Sequence, residues 1–500
     1  MERKYLIIAI IAIIIIICAG VFVFSNSNSD SSASINIDTS ALSDKGNLIV
    51  DSESLDESNS LYHTKTSDLN GILVKNGGTL KLSNSLVNKT GDTATSGDDA
   101  DFYGVNSAVL VNTNGTLDIS DVEIITNSKG SNGIFVTNSE ASTNSNNSNQ
   151  ASQESSSQEG QPPEMPSGDA NQDSAEGQSP EMQGGDGNQA SQESVDGNTE
   201  ATIKNVKITT HSDKSRGLDA TYNGIINAVN VIINTDGQSC AALATDRGEG
   251  EVHVESSQIN TGVSKQSGRG SPLIYSTGNI TAKDTQGTSY ISQIACIEGK
   301  NSIELTNCDL TGYAEGNRQD GDEYVDLGGV FIYQSMSGDA DVGTSLFSAS
   351  NSKLSIAEDS SVAKTAPMFH ITNTASVINL DNTEFNFESG VFLEASGQNQ
   401  WGSEGSNGGV CELNTKNENI NGNIIIDYIS SLNWTMKDTT FNGAINSTGN
   451  TTVNVGDGST WTLTGDSSVS SLELSGSIEY GDYTLTVNGK SYNSSNPYKN

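Results

Sequence analysis

The sequence predicts an all-β chain wound as a parallel β-helix behind one N-terminal transmembrane helix. Three observations carry that prediction. The first is an apolar run from Tyr5 to Phe24 (YLIIAIIAIIIIICAGVFVF), directly after Arg3 and Lys4. The second is composition: only 33% of the 500 residues are apolar and 6% aromatic, too few to fill several compact cores. A coil that stacks its turns needs only a thin apolar column. The third is period. Runs alternating apolar and polar residues start at Ala201, Gly224, Gly250, Gly278 and Lys300, in steps of 23, 26, 28 and 22 residues, the size of one solenoid coil.

The apolar run matches the ~20 residues that one helix needs to cross a bilayer. Arg3 and Lys4 place the N-terminus in the cytoplasm and the bulk of the chain outside. The expected location is therefore the cell membrane, single-pass, with the rest extracellular. A cleaved signal is the competing reading, but its core is usually ~7 to 15 residues and ends at a small-x-small site. Here Ala19-Gly20 is followed by Val21 to Phe24, which favours an uncleaved anchor. Cys18 invites lipidation, yet Ile17 stands where a small residue is expected.

Residues 1–24 are read as cytoplasmic tip and anchor, and 25–45 as a polar stalk opening with SNSNSDSSAS, a composition that stays extended. The first rungs follow over 46–137, with GGTLKLSNSLV at Gly77 and NGTLDISDVEI at Asn114. Residues 138–200 hold two copies of a degenerate unit, GQPPEMPSGDANQ and GQSPEMQGGDGNQ. With almost no branched apolar or aromatic residues, this segment cannot offset the entropy of ordering. A disordered insertion between repeats is expected; a linker between two separate domains is the alternative. Over 201–455, the main body, each alternating run is followed by a second short apolar strand: SRGLDAT, SCAALAT, SPLIYST, SQIACIE and GVFIYQS. Such a phrase repeated in one direction implies stacked rungs rather than hairpins. Asn and Asp recur at the bends, as in NCDL and NTEF, where ladders of side chains satisfy backbone groups. Residues 456–500 supply the last rungs and a cap.

The phrases SRGL (Ser215), ATDRGEGE (Ala244), SPLIYSTGNI (Ser271), EGKNSIELTNC (Glu298), YQSMSGDADVG (Tyr333), FHITNTASVINL (Phe369) and WGSEGSNGG (Trp401) carry a closer likeness. In them the chain resembles the right-handed parallel β-helix (β-solenoid) proteins of pectin-lyase-like fold, and among these the adhesin-like surface proteins of bacteria and archaea. The resemblance spans roughly residues 70 to 480 apart from the insertion. It implies architecture and leaves the ligand open, because this fold carries pectinases, tailspikes and adhesins alike.

Charge narrows the function. The net charge is −38, from 62 acidic and 24 basic residues, a field that repels nucleic acid and anionic lipid. Cys240, Cys296, Cys308 and Cys411 show no metal spacing; Cys296 to Cys308 allows a local bridge, but buried thiols within a solenoid are the preferred reading. Asn234-Thr235-Asp236-Gly237 is identical to a polygalacturonase signature, but no Asp-Asp pair, Gly-His-Gly or Arg-Ile-Lys follows. It reads as a turn. The four histidines, His63, His211, His253 and His370, accompany no nucleophile motif.

The candidate ligand-binding residues are Asp219, Asp246, Arg247 and Glu249, with Glu251 beside them, on adjoining repeats whose matching positions lie ~4.8 Å apart. The bland alternative is a solvated, mutually paired turn. Structural calcium is the one metal considered, at Asp98, Asp99 and Asp101 in GDDADF and at Asp320 and Asp322 in DGDEYVD, although neither follows a calcium-loop pattern. No cofactor is expected. The expected function is a membrane-anchored adhesin or binder of cell-surface polysaccharide or of other cells; the alternative is a polysaccharide lyase or hydrolase.

Overall fold

A computed structural model describes residues 37–95, 97–140, 197–266, 268–315, 318–320 and 323–500. The anchor run, most of the stalk, residues 141–196 of the insertion and Asp322 lie outside the described residues. Among the described residues no helix is long and apolar enough to cross a membrane.

Almost every strand pairs in parallel with the equivalent strand one repeat along. In the largest sheet, Leu117 pairs with Ala201, Ala201 with Ile226, Ile226 with Val252, Val252 with Ile280 and Ile280 with Ile303. The column continues through Phe347, Ile378, Leu413 and Trp434 to Val453. All of these residues are buried in one core. Alternation of side chains along each strand turns this column inward and its neighbours outward, so each face of a rung needs only about two apolar residues, as with Ala201 and Ile203, Val206 and Ile208, and Leu218 and Ala220. Hydrogen bonds between equivalent residues on successive rungs span 25, 26, 28 and 23 positions, matching the period in the sequence.

Each coil has three faces. Over most of the stack two belong to the largest sheet, on either side of a bend, and the third is a separate sheet of 13 strands among the described residues; from Asn419–Asn421 to Ser477–Glu479 the second face is a four-stranded sheet of its own. The bend is a single residue in the left-handed region: Asn205 (φ 53°), Asn230 (φ 55°), Asn307 (φ 54°) and Asn382 (φ 59°) occupy it on four rungs. Asparagine tolerates that conformation better than other side-chain-bearing residues. Its amide also bonds the next rung, with Asn230 Nδ2 donating to Asn205 Oδ1 at 2.7 Å and Asn382 Nδ2 to Asn351 Oδ1 at 2.8 Å.

The strands flanking 141–196 pair directly. Glu200 to Thr210 run beside Thr116 to Thr126, and Leu218 to Thr221 beside Ile134 to Thr137. Rungs before and after the segment therefore share one stack. At the far end, Leu485–Val487 and Lys490–Tyr492 form an antiparallel pair, ending the parallel register.

Two local outcomes differ from or refine the sequence reading. The acidic stretch GDDADF lies in a short helix, Gly97–Tyr103, where the sequence predicts an all-β body. Asp98 and Asp99 sit at the positive end of its dipole, while Ala100 and Phe102 are buried; a helix of 7 residues, under two turns, is too short to print a helical period. Cys240, Cys296, Cys308 and Cys411 are buried thiols. Cys240 and Cys308 belong to hydroxyl ladders at the turns, with the Cys240 sulfur accepting from Ser215 N and the Cys308 thiol donating to Ala282 O. Cys296 stands on the outer side of the 13-stranded sheet beside Tyr275 and Phe331.

Candidate functional site

The 13-stranded sheet is buried on both sides over its middle strands, such as Leu218–Thr221, Ala295–Glu298 and Phe369–Thr372. One side is the core. The outer side carries a register column of Phe135, Asp219, Ala244, Tyr275, Cys296, Phe331 and His370. Loops leave the coil at the sheet edges and roof this column, enclosing a cleft of about 530 Å³. The helix Gly97–Tyr103 forms one end of it through Asp101 and Phe102, and Trp401 forms the other. The chain leaves the helix through Gly104, at φ +67°, where an added Cβ would meet the Phe135 ring at 2.5 Å; only glycine lets the helix sit this close.

At the helix end, one guanidinium gathers three carboxylates. Arg216 Nη1 donates to Asp101 Oδ1 at 3.3 Å, Nη2 lies 2.7 Å from Asp246 Oδ2 and Nε 3.6 Å from Asp219 Oδ2. The Asp246 contact is an ion pair by distance only, because neither that oxygen nor either oxygen of Asp219 accepts a hydrogen bond among the described residues. Burial pushes Asp219 up to about 7, against the pull of Arg216, and holds Asp246 well above the usual carboxylate range for the same reason. Burial opposes the charge on Arg216 in turn, but the carboxylates outweigh it and raise its pKa. Lys214 Nζ caps Asp101 at 2.7 Å from the outside.

Toward the other end the cleft is aromatic. Phe331 stacks on Tyr333 with centroids 4.5 Å apart and packs against Trp401 at 5.2 Å. Glu298 sits between the aromatic and ionic parts, accepting from Tyr275 Oη at 2.8 Å, Tyr333 Oη at 3.0 Å and the Ser335 hydroxyl. Burial, with the nearby Glu298 charge, keeps both phenols well above their ordinary pKa, so both remain donors. On the rim, Arg247 lies 3.9 Å over the Phe102 ring and forks onto Asp339 Oδ1 at 3.1 and 2.5 Å.

The sequence candidates divide accordingly. Asp219 and Asp246 are brought together, Asp246 on the cleft wall and Asp219 behind Arg216; Arg247 orders the rim. Glu249 faces elsewhere and pairs with Lys300 Nζ at 2.7 Å, and Glu251 binds His253. Asp101, a calcium candidate by sequence, is instead an ion-pair partner, while Asp98 and Asp99 begin the helix. Asp320 lies in a backbone hairpin, Arg318–Asp320 with Glu323–Val325. No group of three or more metal-ligating side chains occurs among the described residues. Asp236 accepts from Ser264 N at 2.7 Å across a turn, away from the cleft.

Arg216, Tyr275, Glu298, Tyr333 and Trp401 are site residues that motif reasoning does not reach, yet each lies in a phrase that carries the family resemblance. Their signal is positional: Tyr275, Glu298 and Tyr333 fall within the second strand of a repeat, Arg216 lies just before one and Trp401 on the loop after one, where a charged or phenolic residue has no core role. No protein-family model and no curated protein matches this chain. The function therefore rests on the geometry of the cleft.

Proposed function

We propose that the chain is a membrane-anchored, cell-surface β-helix protein that binds saccharide in this cleft. The juxtaposition of an aromatic wall with an ordered set of carboxylates and hydroxyls carries the reading. Phe331, Tyr333 and Trp401 offer apolar contact to a sugar ring, and Glu298 with its three hydroxyl donors offers fixed polar partners. The apolar run after Arg3 and Lys4 supports anchoring. We read the coil as right-handed, the hand that parallel crossover connections take, and as akin to adhesin-like surface proteins. Printed glycan arrays probed with the full-length chain test the reading. Specific binding that Trp401→Ala abolishes is the expected result; binding unchanged by Trp401→Ala contradicts it.

A second reading, cleavage of a glycosidic bond, is favoured by one observation. Burial raises the pKa of Asp246 on the cleft wall, against the pull of Arg216, and Glu298 lies two strands further along, about 10 Å away. A proton donor and a carboxylate at about that spacing resemble the pair of an inverting hydrolase. New reducing ends that disappear in Asp246→Asn would promote this reading over simple binding.

A further inference from the structure

We infer that Gln293 is a ligand-recognising residue of the cleft and that its ligand is an uncharged, hydroxyl-rich saccharide. The inference rests on the reading of the cleft as a saccharide site. Gln293 lines the cleft two residues before the strand Ala295–Glu298 and is only 3% exposed. Its Oε1 accepts from Ser292 Oγ at 2.7 Å. Its Nε2 has no hydrogen-bond partner among the described residues. Buried amide donors nearly always have one, and leaving one unpaired costs free energy. Turning the amide over exchanges the two atoms and leaves the same position unpaired. A sugar hydroxyl donates and accepts, so it satisfies the position in either orientation.

Charge selects the class. Asp101, Asp246, Glu298 and Asp339 share the cleft with Arg216 and Arg269, and Arg216 is already surrounded by carboxylates. A uronate or sulfated sugar finds Arg216 already matched by those carboxylates, which leaves the exposed Arg269 as the one cation of the wall outside a carboxylate pair among the described residues. An ammonium group finds no open anion either: Glu298 is held by three hydroxyls, Asp101 by Lys214 and Arg216, Asp339 by Arg247 and Asp246 by Arg216. Among the neutral side chains of the wall, Gln293 is the one that presents a donor without a partner among the described residues.

The test compares the full-length wild type with Gln293→Leu, Gln293→Met and Trp401→Ala, titrated with neutral cello-, xylo- and manno-hexaoses and with oligogalacturonate. Wild type should bind a neutral oligosaccharide and not the uronate. Gln293→Leu should bind roughly tenfold or more weakly with little change in Tm, because the loss of the unpaired donor offsets the loss of the Ser292 bond. A purely structural glutamine would lower Tm instead. Should Gln293→Leu fail to fold, Gln293→Met keeps the length of the side chain and removes both amide atoms, and weakened binding by that variant supports the inference. Neutral binding that needs Trp401 but is unchanged in both Gln293 variants, or preference for oligogalacturonate, overturns it and leaves the cleft reading standing. No binding to any probe, or binding indifferent to Trp401→Ala, overturns the cleft reading itself.

Discussion

At the scale of single residues, two buried groups set how stability responds to pH. Glu418 is 3% exposed and takes the Thr383 N–H on both carboxylate oxygens, at 2.9 and 3.1 Å. Burial raises it from 4.5 to about 8 despite those bonds. A carboxyl whose folded pKa is raised favours the fold fully below 4.5, and that contribution is lost as pH rises through 8. Glu418→Gln should therefore flatten the fall in stability between pH 4.5 and 8 and raise Tm at pH 8, measurable by thermal melts across that range; a variant as pH-sensitive as wild type would contradict the assignment. Arg216 makes the complementary case. Replacing it by Met leaves Asp101, Asp219 and Asp246 without their shared cation, and uncompensated buried charge costs about 3–5 kcal/mol. Because Asp219 and Asp246 take up protons readily, the loss in a urea titration should be large at about pH 7.5 and smaller at about pH 5.

At the scale of the rung, the bend residue connects sequence to architecture. Asn382 sits at φ 59° with its N–H bonded to Lys416 O at 3.1 Å and its amide to Asn351. Valine there loses the ladder bond and forces a β-branched residue into the left-handed region, so Asn382→Val should cost about 2 kcal/mol or more. Asn382→Gly, free of the steric term, should lose less than half as much in the same denaturant assay. These bends, the period and the inward Val, Ile and Leu are legible in the sequence because one coil geometry imposes them repeatedly. The cleft is less so. Asp219 and Asp246 stand out on adjoining repeats, but their partner Arg216 sits at a strand entry, and Asp101 arrives from a helix far earlier in the chain. Phe331 and Cys296 read as core because their strand is apolar on both faces, and only the roofing loops tell outer from inner.

At the scale of the whole molecule, the stack is continuous across the low-complexity segment because the rungs flanking it pair strand to strand. Limited proteolysis within 141–196 should therefore leave two fragments that co-migrate on native gels, and fragments that separate without denaturant would contradict that continuity. The same rod positions the cleft on one face, with Trp434 and Trp461 sealed in the core and Trp401 at the cleft end. Those three are the only tryptophans, which makes intrinsic fluorescence the most direct probe of the central claim that saccharide binds in this cleft. Titrating the full-length chain with a neutral oligosaccharide it retains should shift the tryptophan emission, and Trp401→Phe should lose both the shift and most of the affinity. Saturable binding with no change in emission, and with unaltered affinity in Trp401→Phe, would place the ligand elsewhere on the rod and contradict the account.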